Sequence, residues 1–301
     1  MQVGAGRFQA CLKEMGDGVC EWEQLQVMSV EIPYTRTPGK VLVGTSGWSY
    51  QHWRGVFYPE RLPSRETLAY YTARFPTVEI NRTFYSLPDA GVIERWRRTA
   101  RPGFTYAIKA PRLITHMKKL RRIDEPLVDF ITRVRGLGEA LGPILFQFPA
   151  GFGRDTGLLR DFIDRLPRDL RYAFEFRDPT WFRDRIYDML ADREAAFCIY
   201  HAGTFETPRV VTAPFVYLRM HGLGTAYAGL YGRDELERWA EACRQWTADE
   251  FDVRVYFNND AAGAALRDAV TLRNLVGQRV AWALPRGPEV EVDERNGRLA
   301  G

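Results

Sequence analysis

The chain is short of histidine and cysteine, with four of each in 301 residues, and it is shorter still of lysine relative to arginine. Lys13, Lys40, Lys109, Lys118 and Lys119 are the full set, so 37 of the 42 basic residues are arginine. Cys11, Cys20, Cys198 and Cys243 form no C-x-x-C pair and no run at zinc spacing. That excludes a zinc ribbon and the disulfide framework of a small secreted domain; buried or incidental reduced thiols are expected. No stretch reaches the roughly 20 apolar residues of a spanning helix. The first thirty residues hold no signal-peptide core, because Lys13, Glu14, Asp17, Glu21 and Glu23 interrupt it. A cytoplasmic protein with no membrane contact is the expectation. Charge of one sign is lacking too: 42 basic against 38 acidic residues leaves +4, too little to imply a nucleic-acid binder.

What remains is the profile of a globular domain, 46% hydrophobic and 27% charged. The length suits two small domains or one closed barrel. Residues 1–38 read as an N-terminal extension, partly ordered or a mis-assigned start with Met28 as the initiator, and they close on a Pro/Thr-rich loop. They carry three basic and five acidic residues, which leaves the rest of the chain at about +6. Residues 286–301 read as a C-terminal tail.

Between them, over 39–285, short β-prone runs alternate with helical patterns. The runs are Val41–Thr45, Val78–Asn81, Phe104–Lys109, Ile144–Phe148, Tyr172–Phe176, Ala196–Tyr200, Val216–Met220 and Val253–Asn258. The clearest helical stripe is Leu127, Phe130, Ile131, Val134, Leu137 and Leu141. Only the connection from His201 to Pro214 is too short and too Pro/Thr-rich for a helix. Eight strands, each mostly followed by a helix, predict an α/β fold, a (β/α)8 TIM barrel in one domain. A doubly wound open sheet is the alternative.

In such barrels chemistry gathers where strands end. Those positions are polar here. Ser46 and Trp48 follow strand one; Glu79 and Asn81 share a face of strand two; Lys109 ends strand three. Gln147 ends strand four, Glu175 and Arg177 strand five, Arg219 and His221 strand seven, and Asn258-Asn259 strand eight. Buried charges are costly unless paired or used, so this density predicts a charged pocket. His52, His116, His201 and His221 all follow strands, which favours one functional mouth. Arg112, His116, Lys118, Lys119, Arg121 and Arg122 set five fixed positive charges and a histidine in eleven residues, either a solvated face or a phosphate contact. Gly222-Leu223-Gly224-Thr225 sits where barrels seat phosphates, although Tyr227 replaces the third glycine of a dinucleotide fingerprint. Trp48, Tyr50, Trp53, Phe57, Tyr58, Phe84, Tyr85 and Trp181 thicken the rim. Some of these are expected to stack on a base or sugar, and at least half to pack loops onto the barrel.

These residues form ordered blocks. Gly44-Thr45-Ser46-Gly47-Trp48-Ser49-Tyr50 with Phe57-Tyr58-Pro59 resembles the opening signature of the YecE-like family, a domain-of-unknown-function family. So do Val78-Glu79-Ile80-Asn81, Lys109-Ala110-Pro111-Arg112, Leu145-Phe146-Gln147-Phe148-Pro149, Glu175-Phe176-Arg177, Tyr217-Leu218-Arg219-Met220-His221-Gly222 and Tyr256-Phe257-Asn258-Asn259. The resemblance runs from about Val41 to Leu275 and implies a TIM barrel, but no reaction. One departure stands out: the family often has an aspartate at the end of strand six, where this chain reads Tyr200-His201.

Two classes of function fit. The first is an enzyme acting on a small phosphate- or carboxylate-bearing substrate, a phosphodiesterase-like hydrolase or an isomerase. Glu79, Glu175, Lys109 and His221 are its catalytic candidates. Ser46, Trp48, Asn81, Tyr85, Arg112, His116, Gln147, Arg177, Arg219, Asn258 and Asn259 are its substrate-binding candidates. No cofactor is required, and a divalent metal on the carboxylates is admitted. A glycoside hydrolase pairing Glu79 with Glu175 is a variant that Lys109, Arg177 and Arg219 make uncomfortable, since they hold both acids ionised. A Schiff base on Lys109 needs a desolvated amine, whereas beside Glu79 and Glu175 the expectation is a charged one. The second class is a non-catalytic nucleic-acid or nucleotide-binding module built on Arg112–Arg122 and the aromatic rim. The small net charge favours a small anionic ligand over a long duplex.

Overall fold

The β-prone runs become strands of one parallel barrel. The structure, a computed structural model, describes residues 38–224, 227–278 and 280. The extension read at 1–38 lies outside them but for its last residue, as does the tail at 286–301. The strands are β1 (Val41–Thr45), β2 (Thr77–Ile80), β3 (Thr105–Lys109), β4 (Leu141–Gln147), β5 (Tyr172–Glu175), β6 (Ala196–Ala202), β7 (Phe205–Glu206), β8 (Phe215–Met220) and β9 (Asp252–Phe257). Their hydrogen-bonded order is β1-β9-β8-β6-β5-β4-β3-β2, all parallel. The two-residue β7 folds back antiparallel on β6 in the connection that lacks a helix.

The seam between β1 and β2 is narrow. It closes through a bridge from Ser46 to Glu79, with the Gly47 N–H donating to the Glu79 carbonyl at 2.8 Å. Gly44 permits this approach, since a Cβ there would stand 2.2 Å from the Thr77 carbonyl oxygen.

Helices α1 (Thr67–Thr72), α2 (Arg82–Tyr85), α3 (Ala90–Thr99), α4 (Asp124–Arg135), α5 (Thr156–Arg165), α6 (Asp184–Ala191), α7 (Arg233–Ala248) and α8 (Ala264–Leu275) follow the strands. Asp89 and Asp155 cap α3 and α5 by accepting the N–H groups of Val92 and Leu158, the usual way to satisfy an orphan donor at a helix start. Leu127, Phe130, Ile131 and Val134 of α4 are buried against the barrel. The helix is shorter than the stripe predicts. It ends at Arg135, where Gly136-Leu137-Gly138 turns the chain, Gly138 taking a positive φ of 56°, and Leu141 already belongs to β4.

The outward strand faces and inward helix faces form the main core, with rings such as Phe146 and Phe162 meeting edge to face at 4.9 Å. A second, smaller cluster fills the barrel itself: Ala107, Leu145, Ala173, Cys198, Tyr217 and Tyr256 among others. Small side chains on β3, β5 and β6 leave room there for two tyrosines and, one layer higher, for charged groups. Cys198 and Cys243 are free and buried. Among the described residues no helix is long and apolar enough to cross a membrane.

Candidate functional site

The period of two along each strand decides which polar groups enter the mouth. Glu79, Lys109, Gln147, Glu175, Arg219 and Asn258 follow inward-facing neighbours two residues back, and they meet at the C-terminal end of the barrel.

Arg219 on β8 lies at the centre, 1% exposed. Its Nη1 donates to Glu175 Oε2 at 2.6 Å and its Nη2 to Glu79 Oε1 at 2.8 Å, both carboxylates being 0% exposed. Glu79 also accepts from Ser46 Oγ and Tyr217 OH, each at 2.7 Å. Arg177 Nε donates to the other oxygen of Glu175, and its Nη2 reaches His221 Nε2 at 2.9 Å. The Arg177 guanidinium lies 4.6 Å over the Tyr200 ring. Asn258 Nδ2 approaches His221 Nδ1 at 3.2 Å.

Burial alone would raise the Glu175 carboxyl, but Arg219 and then Arg177 outweigh it and hold it well below the usual carboxylate range. Burial and the Arg219 charge keep His221 neutral, its proton affinity well below that of an ordinary imidazole. Burial drives the Tyr217 phenol well up, so it remains a donor to Glu79.

Lys109 differs from its neighbours. Its Nζ sits 4.2 Å from the centre of the Phe84 ring, and among the described residues it forms no ion pair with Glu79 or Glu175, which Arg219 and Arg177 hold. Both acids expected to keep it charged are bound by Arg219 instead. Burial first, then the Arg219 charge, pushes its pKa down to about 8, against the pull of Glu175 and Glu79. His116 meets the same Phe84 ring edge-on, at 4.9 Å between centroids. Its Nδ1 is hydrogen-bonded to Thr115 Oγ1 at 2.8 Å, and burial together with Lys109 pushes its pKa down to about 4.

Beside this cluster opens a pocket of about 460 Å³ lined by Gln147, Ala150, Arg177, Tyr200, Ala202, Phe205 and Tyr227. The loop after β3 forms a π-helical turn, Leu113–Met117, and then carries Lys119, Leu120 and Arg122 at positive φ. Tyr85 is 69% exposed, with the Arg112 guanidinium 5.7 Å from its ring. Arg121 pairs with Asp155 at 3.3 Å, so the basic segment is partly neutralised.

Other expected residues stand elsewhere. Trp48 packs edge-on against Trp96 of α3 at 5.7 Å. Asn259, next to Asn258 and so on the opposite face, donates to Asp268 of α8 at 2.7 Å and to the Gly229 carbonyl at 2.8 Å. His201 likewise points outward, to Tyr231 OH at 3.1 Å and the Trp239 ring. His52 is a rim residue paired with Asp260 at 2.9 Å. The four histidines therefore do not share one mouth. Asn81 stands between β2 and α2, with a buried Oδ1 that has no hydrogen-bond partner among the described residues. Trp53, Phe57, Tyr58 and Trp181 are buried loop packing. Tyr217 and Tyr200 are absent from the expected site residues, although the two-residue period from Arg219 and Cys198 points to both; Phe84, expected at the rim, faces Lys109.

Among the described residues no three His, Cys, Asp or Glu side chains group so as to hold a metal ion. The two carboxylates nearest such a role already have their oxygens occupied by Arg219, Arg177, Ser46 and Tyr217.

A parallel (β/α)8 barrel with a charged cluster at its C-terminal mouth defines the class. Residues 42–291 match the model of the family described as "Protein of unknown function DUF72", and the chain belongs to that family. Among curated relatives it is 34% identical over 143 residues to the UPF0759 protein YecE of Escherichia coli, an alignment covering 47% of this chain and half of that protein's length. It is 24% identical over 282 residues to the UPF0759 protein YunF of Bacillus subtilis, covering 82% of this chain and 98% of that one. Among solved structures, a DUF72 family protein from Thermotoga maritima superposes with a TM-score of 0.71 at 28% identity, over 79% of this chain and 99% of that one. One from Enterococcus faecalis shares the fold at 20% identity, with a TM-score of 0.65, over 80% of this chain and 99% of that one.

Proposed function

We propose that the barrel mouth binds a small phosphate- or carboxylate-bearing molecule and acts on it as an enzyme. One observation carries this reading: among the described residues three cations, Lys109, Arg177 and Arg219, stand against two carboxylates, Glu79 and Glu175, and the two arginines hold those acids while Lys109 pairs with neither. A desolvated charge without a partner is unfavourable, and an anionic ligand supplies the missing one. His221 is neutral and adds no charge to the count. Arg177, 20% exposed, presents its remaining edge to the adjoining pocket.

The same geometry disfavours Glu79 and Glu175 as a glycosidase pair. Such a pair needs one protonated acid, and Glu175 is held ionised. Their role in this reading is to hold Arg219 and Arg177 in place. A cytoplasmic setting suits the two buried free thiols.

Isothermal titration with phosphate, pyrophosphate and citrate tests the reading. Binding weakened at least about tenfold in Lys109→Met and in Arg177→Met, a loss of roughly 1.4 kcal/mol, is expected. No binding of any of the three, or unchanged binding in both variants, overturns it. A second reading, a non-catalytic nucleotide or single-strand binder, rests on exposed Tyr85 beside Arg112. It requires a base-dependent affinity that Tyr85→Ala abolishes.

A further inference from the structure

Lys109 has two features that anion binding does not use. Its amine is screened on one side by the face of Phe84, and a neutral imidazole, His116, borders the same ring. Among the described residues nothing hydrogen-bonds to His116 Nε2, while its Nδ1 is occupied by Thr115. The charged groups around the amine come from every side of the mouth: Arg219 on β8, Glu175 and Arg177 from the β5 end, Glu79 on β2. The acids among them are bound to arginines, so none holds the ammonium by a direct hydrogen bond.

We propose that Lys109 is a catalytic nucleophile that forms an imine with a carbonyl compound bearing a carboxylate or phosphate, with His116 moving the proton. The inference rests on the anion-binding reading, because Arg177 would hold the substrate's charged group while its carbonyl meets Lys109.

The step balances without a further reactant. The neutral Nζ donates its electron pair to the carbonyl carbon, and the C=O π pair moves to oxygen. His116 Nε2 takes the proton from the new ammonium and returns it to that oxygen, giving the carbinolamine. His116 then carries the remaining N–H proton of the carbinolamine to its hydroxyl, which leaves as water as C=N forms. Carbonyl compound and amine become imine and water. Once it takes up a proton from solvent, the imine withdraws electrons from the adjacent carbon, which opens proton abstraction or carbon–carbon cleavage there.

An amine with a pKa of about 8 is roughly one-tenth neutral at pH 7, a few hundred times more than an ordinary lysine. Selective reaction at Lys109 therefore follows, and the scarcity of lysine makes it readable.

The test treats the full chain with sodium borohydride in the presence of pyruvate, dihydroxyacetone phosphate or uncharged acetone, followed by intact mass and peptide mapping. The expected result is one adduct per chain, on Lys109, formed at least about tenfold faster with an anionic carbonyl than with acetone. Lys40, Lys118 and Lys119 serve as internal controls. Lys109→Arg and Lys109→Met, each checked for folding by circular dichroism, give no adduct, and His116→Gln slows adduct formation with the fold unchanged. Pyruvate or dihydroxyacetone phosphate that binds by titration but leaves Lys109 unmodified overturns the imine and spares the anion reading. Labelling of the surface lysines as fast as Lys109 also overturns it. Absence of both binding and adduct removes the two together.

Discussion

Arg219 Nη1 stands 2.6 Å from Glu175 Oε2, in a pair whose side chains are 1% and 0% exposed. Such a pair adds little net stability over an apolar substitute, but breaking it from one side strands a buried charge. Arg219→Met takes the arginine from Glu79 and leaves Glu175 with Arg177 alone. It is expected to lower stability by about 3–5 kcal/mol in urea unfolding. Adding Glu79→Gln and Glu175→Gln to that variant should return much of the loss. A single variant within about 1 kcal/mol of the parent contradicts the geometry.

Lys109→Met should act in the opposite direction. Removing a desolvated cation that lacks an acid raises the thermal midpoint by several degrees, since roughly 1 kcal/mol moves Tm by about 2–4 °C in a domain of this size. The same variant loses anion affinity, so stability and function move apart, and the gap narrows in phosphate, which stabilises the parent more than the variant. A lower midpoint in phosphate-free buffer would show that Lys109 is already paired.

Asp268 supplies a pH prediction. Burial pushes its carboxyl up to about 7, against the hydrogen bonds it accepts from Asn259 and the Tyr231 N–H. The folded pKa lies above the unfolded 3.8, so its contribution is fully present below about 4 and is lost as pH rises through 7. Asp268→Asn keeps one acceptor and should flatten the stability profile between pH 4 and 7. An unchanged slope in the variant counts against the raised value.

At the seam, Gly44→Ala would set a Cβ 2.2 Å from the Thr77 carbonyl oxygen. Backbone cannot yield there as a side-chain tip can, so a loss of about 1–3 kcal/mol or more is expected. Hydrogen exchange should show it first at the Gly47 N–H that joins Glu79. Protection unaltered there would mean that the strands are not held by this contact.

Much of the barrel is legible in the sequence because a buried parallel strand must be a short apolar run and its helix must show one apolar stripe. The boundary that fails, Leu141, is apolar in either element, so periodicity cannot assign it; the glycines on either side of Leu137 are the local sign that the helix has ended. Strand-end residues on one face are legible by parity: Arg219 and His221 enter together, while His201 and Asn259 each follow an inward residue and turn out. Which acid meets which base depends on side-chain direction across the barrel and has no sequence signal. For that reason Lys109 reads as a partner of Glu79 and Glu175 until Arg219 is seen to hold both. Loop aromatics are ambiguous for a similar reason, since Trp181 and Tyr85 look alike in sequence and end 0% and 69% exposed.

The direct test of the central claim is the titration of the lysines themselves. With five in the chain, carbon-13 reductive methylation gives a spectrum in which each can be assigned by single Lys→Arg variants. The account predicts one resonance, absent from Lys109→Arg, with a midpoint near 8 that moves upward when phosphate is added. All resonances titrating near the ordinary 10.5, with no response to phosphate, would contradict it.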